Sequence, residues 1–220
     1  MDIFSGWNDY VTRLENNWRK LVTDNDTVVI AGDISWAMKL EQTLVDFQFI
    51  NSLPGKKIFL KGNHDYWWTS LTKMNAFLEE NGFTGISFLQ NDAVLAENKI
   101  LCGSRGWICE EKMTEQDEKI LSREAQRFAL SLKKGAELCE TIRQETGKSP
   151  EIVCFSHYPL LSASLRENPI LALFREYGVK RVYYGHLHNW HNKPLFDRFE
   201  EIRLILVSSD YCNFTPQKIE

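Results

Sequence analysis

KKIFLKGNHDYWW, residues 56–68, decides how this chain is read. The run Ile58-Phe59-Leu60 is strand-like, and it turns abruptly polar through Gly62, Asn63, His64 and Asp65 before three large aromatics. A polar tight turn is one explanation. The other is a rigid strand that presents an amide, an imidazole and a carboxylate at its carboxyl end for metal or acid–base chemistry. The choice depends on whether other strands end in the same way.

Five further β-branched or apolar runs can be read: 27–30, 99–102, 151–155, 181–184 and 202–207. Several are nearly continuous, as expected of strands covered on both faces. Helical spacing separates them. Residues 7–22 place Trp7, Tyr10, Val11, Leu14, Trp18, Leu21 and Val22 on one face. Residues 40–53 repeat the pattern up to Pro54-Gly55, and the longest stretch runs from about Thr114 to Gln144, with Gly135 a point where it could break. Without internal repeats or linkers rich in Pro, Gly or Ser, the 220 residues read as one α/β domain.

Composition narrows the function classes. A hydrophobic fraction of 43% and a charged fraction of 25% describe a globular chain. The net charge of −4, with only short lysine pairs, argues against long nucleic acid as a partner. No apolar run reaches bilayer length, and MDIFSGWNDY lacks the basic flank and apolar core of a signal peptide. The five cysteines (102, 109, 139, 154 and 212) form no C-x-x-C pair. Reduced thiols in a cytoplasmic protein are the expectation.

The other strand ends repeat the opening pattern. Residues 28–31 lead to Gly32-Asp33, residues 152–155 to Ser156-His157, and residues 182–184 to Gly185-His186-Leu187-His188. In α/β sheets ligands bind beyond the carboxyl ends of the strands. Alone, His157 reads as a hydrogen-bonded core or surface histidine, Asp33 as a turn former or helix cap, and Asn63 as a turn residue. Four coincident strand ends favour chemistry. Oxygen and imidazole donors without nearby cysteine suit Mn, Fe or Zn.

In this order Gly32-Asp33, Gly62-Asn63-His64-Asp65, His157 and Gly185-His186-Leu187-His188 resemble the calcineurin-like metallophosphoesterases, in particular their small bacterial predicted phosphohydrolases. The resemblance implies two packed mixed β-sheets flanked by helices, with a dinuclear centre at the strand ends. It implies that Asp33 bridges both ions, that Asn63, His157 and His186 complete the second, and that His188 binds the first. His64 would stabilise the phosphoryl oxygens or protonate the leaving alkoxide, with Asp65 orienting it. The implied reaction is in-line attack by a metal-bound hydroxide.

The family's opening Asp-x-His is not found, because no histidine here follows an aspartate by two residues. The expectation is therefore an N-terminally incomplete sandwich without its first strand, with a favoured second metal site and a weak first one unless Asp2 or Asp9 has taken it over. Trp36, Trp67, Trp107 and Trp190 are expected either to rim the cleft and stack on a leaving group or to pack in the core. Arg105 is expected either to clamp phosphate or to form a surface ion pair. Three functions fit: hydrolysis of a small-molecule or protein phosphoester, a cyclic-nucleotide or nucleic-acid phosphodiesterase, and a catalytically weak scaffold.

Overall fold

The computed structural model describes residues 6–108, 110, 112–161, 167–191 and 193–219; Asp2 and Cys109 lie outside them. In chain order the elements are α1 (Tyr10–Leu21), β1 (Thr27–Ile30), a 3-10 turn (Leu40–Thr43), α2 (Leu44–Ser52), β2 (Lys56–Phe59), α3 (Leu71–Glu80) and β3 (Ile86–Phe88). Then follow β4 (Ala93–Ala96), β5 (Lys99–Ser104), α4 (Glu115–Thr146), β6 (Glu151–Ser156), α5 (Pro169–Glu176), β7 (Arg181–Tyr184), β8 (Arg198–Phe199) and β9 (Ile202–Leu206).

The strands form two sheets, β1-β2-β3 and β4-β5-β6-β7-β9-β8. The larger sheet is mixed, as expected, with antiparallel β4 and β8 at its edges. The smaller sheet is parallel throughout, a correction to the expected pair of mixed sheets. Its strands are joined through α2 and α3, and such helical crossovers return the chain in the same direction. Among the described residues β1 pairs with β2 alone and is an edge strand.

Period-two alternation explains the layers. Ile58 and Leu60 point to the seam between the sheets, where they meet Leu101, Val153, Phe155 and Tyr183. Phe59, between them in sequence, points the other way, onto Phe47, Trp67, Met74 and Leu78. On the larger sheet Ile100, Cys102, Cys154 and Val182 face outward onto Phe128 and Leu132 of α4 and Ile170 and Phe174 of α5. Phe155 and Phe59 are almost fully buried. Truncating either to Ala is expected to cost about 3–5 kcal/mol.

Helix α4 is continuous, so Gly135 does not break it. A Cβ there would lie 2.5 Å from the Cys102 sulfur, so glycine lets the helix close onto β5. A reciprocal Thr114–Asp117 capping box opens the helix, and Gly147, at φ +71°, ends it. The four described cysteines are free. Among the described residues no helix is long and apolar enough to cross a membrane.

Candidate metal centre

Strand register brings the chemical groups together. Ile30 pairs with Phe59, so the turns after β1 and β2 lie side by side. A Cβ on Gly62 would come within 2.1 Å of Asp33 Oδ1, so the two turns approach more closely than any other residue at position 62 permits. In the larger sheet Ser156 pairs with Tyr184, and the Gly185 N–H donates to the His157 carbonyl at 3.1 Å. The two pairs of turns meet across the seam, where His157 Nδ1 lies 2.9 Å from the Ala31 carbonyl oxygen.

That last bond sets the tautomer. With Nδ1–H donating to Ala31, His157 presents the bare lone pair of Nε2 inward. Nε2 lies 2.7 Å from Asn63 Oδ1, 3.2 Å from His186 Nδ1 and 3.5 Å from Asp33 Oδ2. His186 Nδ1 is also 2.9 Å from Asn63 Oδ1. Ligand atoms of Asp33, His157 and His186 all lie within 4.8 Å of one another. Burial pushes the His157 imidazole below its ordinary pKa, and burial together with His157 pushes His186 down to about 4. Both rings are therefore neutral at pH 7, and an amide oxygen, two imidazole lone pairs and a carboxylate converge. A divalent cation fits that donor set: these groups repel one another without a positive charge between them.

Two of the converging residues hold left-handed backbone, Asp33 at φ 55° and His186 at φ 66°. Such geometry costs about 1 kcal/mol or more at a residue with a side chain. Asp65 explains how the first is held. Fully buried, it accepts hydrogen bonds from the N–H groups of Asp33 (2.9 Å), Ile34 (2.8 Å), Ser35 (3.1 Å) and Gly62 (2.7 Å), and from Trp67 Nε1 (3.1 Å). Burial raises its carboxyl to about 6 against the pull of these donors. The sequence reading had Asp65 orienting His64. The structure turns its carboxylate the other way, onto the backbone that carries Asp33, because four amides of two tight turns need an acceptor there.

His64 instead stacks under Trp36, with ring centroids 4.7 Å apart and planes at 29°, and its Nδ1 lies 3.2 Å from the Tyr66 hydroxyl. Its backbone N–H donates to Asp33 Oδ1 at 2.9 Å, leaving Oδ2 toward His157. Trp36 is 49% exposed and lies over the His64 ring. Trp67 takes the other of its two expected places, the core: it is buried, bonded to Ser35 and Asp65, and packed edge-on against Phe47, so it makes no substrate contact. Trp107 and Trp190 pack partly buried against the larger core. Arg105 is not a surface pair. Its guanidinium reaches the fully buried Glu124 at 3.2 Å, and its carbonyl accepts the His157 N–H at 3.0 Å.

His188 stands outside the converging cluster among the described residues. Its Nδ1 is 2.8 Å from Asp210 Oδ1, and the Asn189 N–H bonds the other oxygen at 2.7 Å. Burial opposes ionisation of Asp210, but these two bonds, together with the charge of His188 and the Tyr211 N–H, keep the carboxyl below its ordinary range. Trp7 meets the His188 ring edge-on at 5.5 Å. Asp9 is an exposed residue at the start of α1 and belongs to no metal-ligand cluster among the described residues. The sequence reading missed Asp210, although Val207-Ser208-Ser209-Asp210 follows β9 as the other polar groups follow their strands.

The family model of the calcineurin-like phosphoesterases matches residues 2–190. The chain belongs to that family. Membership carries metal-dependent phosphoester hydrolysis as the family's general chemistry, and among the described residues Asp33, His157 and His186 form a group that could hold a metal ion, with the Asn63 amide oxygen beside them. Among solved structures the chain is similar to the protein TT1561 of Thermus thermophilus, with 12% identity, a TM-score of 0.59, and coverage of 94% of this chain and 86% of that one. A second solved structure is 13% identical with a TM-score of 0.51, covering 92% and 86%. At these identities the likeness concerns the fold alone. No protein of curated function matches the chain.

Proposed function

We propose that the protein hydrolyses a small phosphoester with the help of a divalent ion, Mn, Fe or Zn, held by Asp33, Asn63, His157 and His186. The observation that carries this reading is the inward lone pair of His157 Nε2, fixed by the Ala31 carbonyl, 2.7 Å from the Asn63 amide oxygen. When bound, the ion supplies positive charge to the phosphoryl oxygens and acidifies water for attack.

The chain's own residues supply the rest. Asp65 fixes the two turns, so Asp33 is positioned before any ligand arrives. His64 stands beside the cluster, tied through its backbone to Asp33, where its ring can give a proton to the leaving oxygen. Trp36 shields the outer face of that ring from water and offers an aromatic surface to a leaving group. The half-exposed His64 and the exposed Tyr66 leave the approach open to a small substrate.

The test is metal analysis of the purified chain, followed by turnover of p-nitrophenyl phosphate and its bis-ester with each ion. Turnover that requires metal and falls at least a hundredfold in His64→Ala and Asp33→Asn supports the reading. Stoichiometric metal binding with no turnover of either ester would make the protein a scaffold, and no metal binding at all would remove the reading's basis.

A further inference from the structure

A cavity of about 210 Å³ opens where the ends of β2 and β3 meet the end of β5, beside the metal cluster rather than within it. Lys61, Arg105 and Arg127 line it, together with the polar side chains of Gln90 and Asn91. Lys61 is half-buried and feels the like charges of both arginines, while Asp65 and Glu124 act in the opposite sense. Neither carboxylate is free to answer it. Asp65 is committed to five N–H donors. Glu124 is fully buried and already accepts from Arg105 at 3.2 Å, Arg127 at 2.5 Å, Ser104 at 2.7 Å and the Gly106 amide at 3.2 Å.

Arg105 carries a second sign of an absent partner. Its Nε is buried and has no hydrogen-bond acceptor. Buried polar atoms in native proteins are nearly always satisfied, so an unmet donor on a residue that lines a basic cavity points to an anion as its partner. Three cations around a space large enough for one oxyanion and a short linker make that anion phosphate-like, since guanidinium groups match its geometry with paired donors.

The cavity is within reach of the chemistry. Lys61 precedes the ligand Asn63 by two residues, which places their Cα atoms within about 7 Å. Arg105 is bonded through its carbonyl to the backbone of His157. We propose that this cavity is a subsite for a second phosphoryl group, so the substrate class is a small molecule carrying two phosphates a few bonds apart. The substrate part of this inference rests on the hydrolase reading above; the anion site does not.

The experiment therefore has two arms. In the first, the full chain is stripped of metal and titrated with inorganic phosphate by calorimetry at low salt. Millimolar or tighter binding is expected, weakened at least tenfold in Arg127→Gln and in Lys61→Gln, with circular dichroism verifying that each variant is folded. No phosphate binding by the wild type, or equal binding in both folded variants, overturns the subsite. In the second arm the metal-loaded chain is compared on 1,3-propanediol bisphosphate and propyl phosphate. A KM for the bisphosphate at least tenfold lower, with the ratio collapsing toward one in Arg127→Gln, supports its role for substrate. Equal KM values in the wild type overturn that role even if free phosphate binds. Phosphate binding that persists without turnover of either ester supports the anion site and counts against the hydrolase reading alone.

Discussion

Replacing Asp65 with Asn tests whether this carboxylate serves the fold of the site or the imidazole beside it. In the native arrangement Oδ1 accepts from Ile34, Ser35 and Trp67, and Oδ2 accepts from Asp33 and Gly62. An asparagine can keep its oxygen on the side with three donors. Its amide nitrogen then faces the N–H groups of Asp33 and Gly62, donor against donor, in a site closed to water. Each buried donor left unmet costs about 1–3 kcal/mol, so the pair costs about 2–6. Asn also removes a buried charge, and a carboxyl raised to about 6 marks an offset of about 2–3 kcal/mol, so about 2 kcal/mol is expected on balance. For a chain of this size 1 kcal/mol moves Tm by about 2–4 °C, giving a fall of roughly 4–8 °C. The assay is calorimetric melting of the metal-free variant at pH 8, where the native carboxyl, raised to about 6, is ionised. Metal affinity should fall with it, because the backbone that aims Asp33 is released. A Tm within about 2 °C of the wild type would refute the reasoning. If kcat then fell with its pH profile displaced, the carboxylate would be acting on His64 after all.

Three further outcomes follow from the same geometry. His186 titrates at about 4 when folded and near 6.5 when unfolded, so only the unfolded chain takes up the proton between those values; its stabilisation is complete above pH 6.5 and is lost as pH falls toward 4. Asp65, raised to about 6, acts in the opposite sense over the same window, so the His186 contribution is read as a difference. After discounting for partial exposure, metal-free wild type should lose about 1–2 kcal/mol more than His186→Asn in urea titrations across that window. Gly62→Ala drives a methyl group into Asp33, whose Oδ1 would be 2.1 Å from it, so metal affinity by calorimetry should drop at least a hundredfold; unchanged affinity would contradict the close approach. Trp36→Ala uncovers the His64 ring and should lower kcat/KM for aryl phosphates about three- to tenfold more than for alkyl phosphates, and equal losses on both would rule out a leaving-group contact.

What the sequence revealed follows from which signals are local. The strand cores at 27–30, 58–59, 99–102, 151–155, 181–184 and 202–206 were readable because strands covered on both faces are apolar without interruption. The short edge strands β4 and β8, the three-residue β3, and the helices α3 and α5 were not, since each depends on a neighbour for its stability. Asp33, Asn63, His157 and His186 were readable because a polar group directly after an apolar run is conspicuous. Asp65 was misjudged for a different reason. The family resemblance implied service to His64, but the bonds that hold a buried carboxylate are chosen in three dimensions, here by amides 30 to 32 residues away in sequence. For Trp67 the sequence leaves rim and core both open, because its spacing from His64 says nothing about which side of the turn it occupies, and burial puts it in the core.

The position of the cluster explains why the polar residues at four strand ends make one site rather than four. β1 and β2 belong to one sheet, β6 and β7 to the other, and no hydrogen-bonded ladder joins the two among the described residues. What sets their separation is the seam of Ile58, Leu60, Leu101, Val153, Phe155 and Tyr183 directly beneath the turns. Close-packed side chains resist compression, so the seam fixes the sheet spacing and with it the distance from His157, after β6, to Asp33 and Asn63, after β1 and β2. The bond from His157 Nδ1 to the Ala31 carbonyl then pins the two sheets together at the top of that seam, and it is the same bond that turns Nε2 inward. A residue that reads as an isolated histidine thus does two things at once. It ties one sheet to the other, and it delivers the lone pair around which the remaining donors gather.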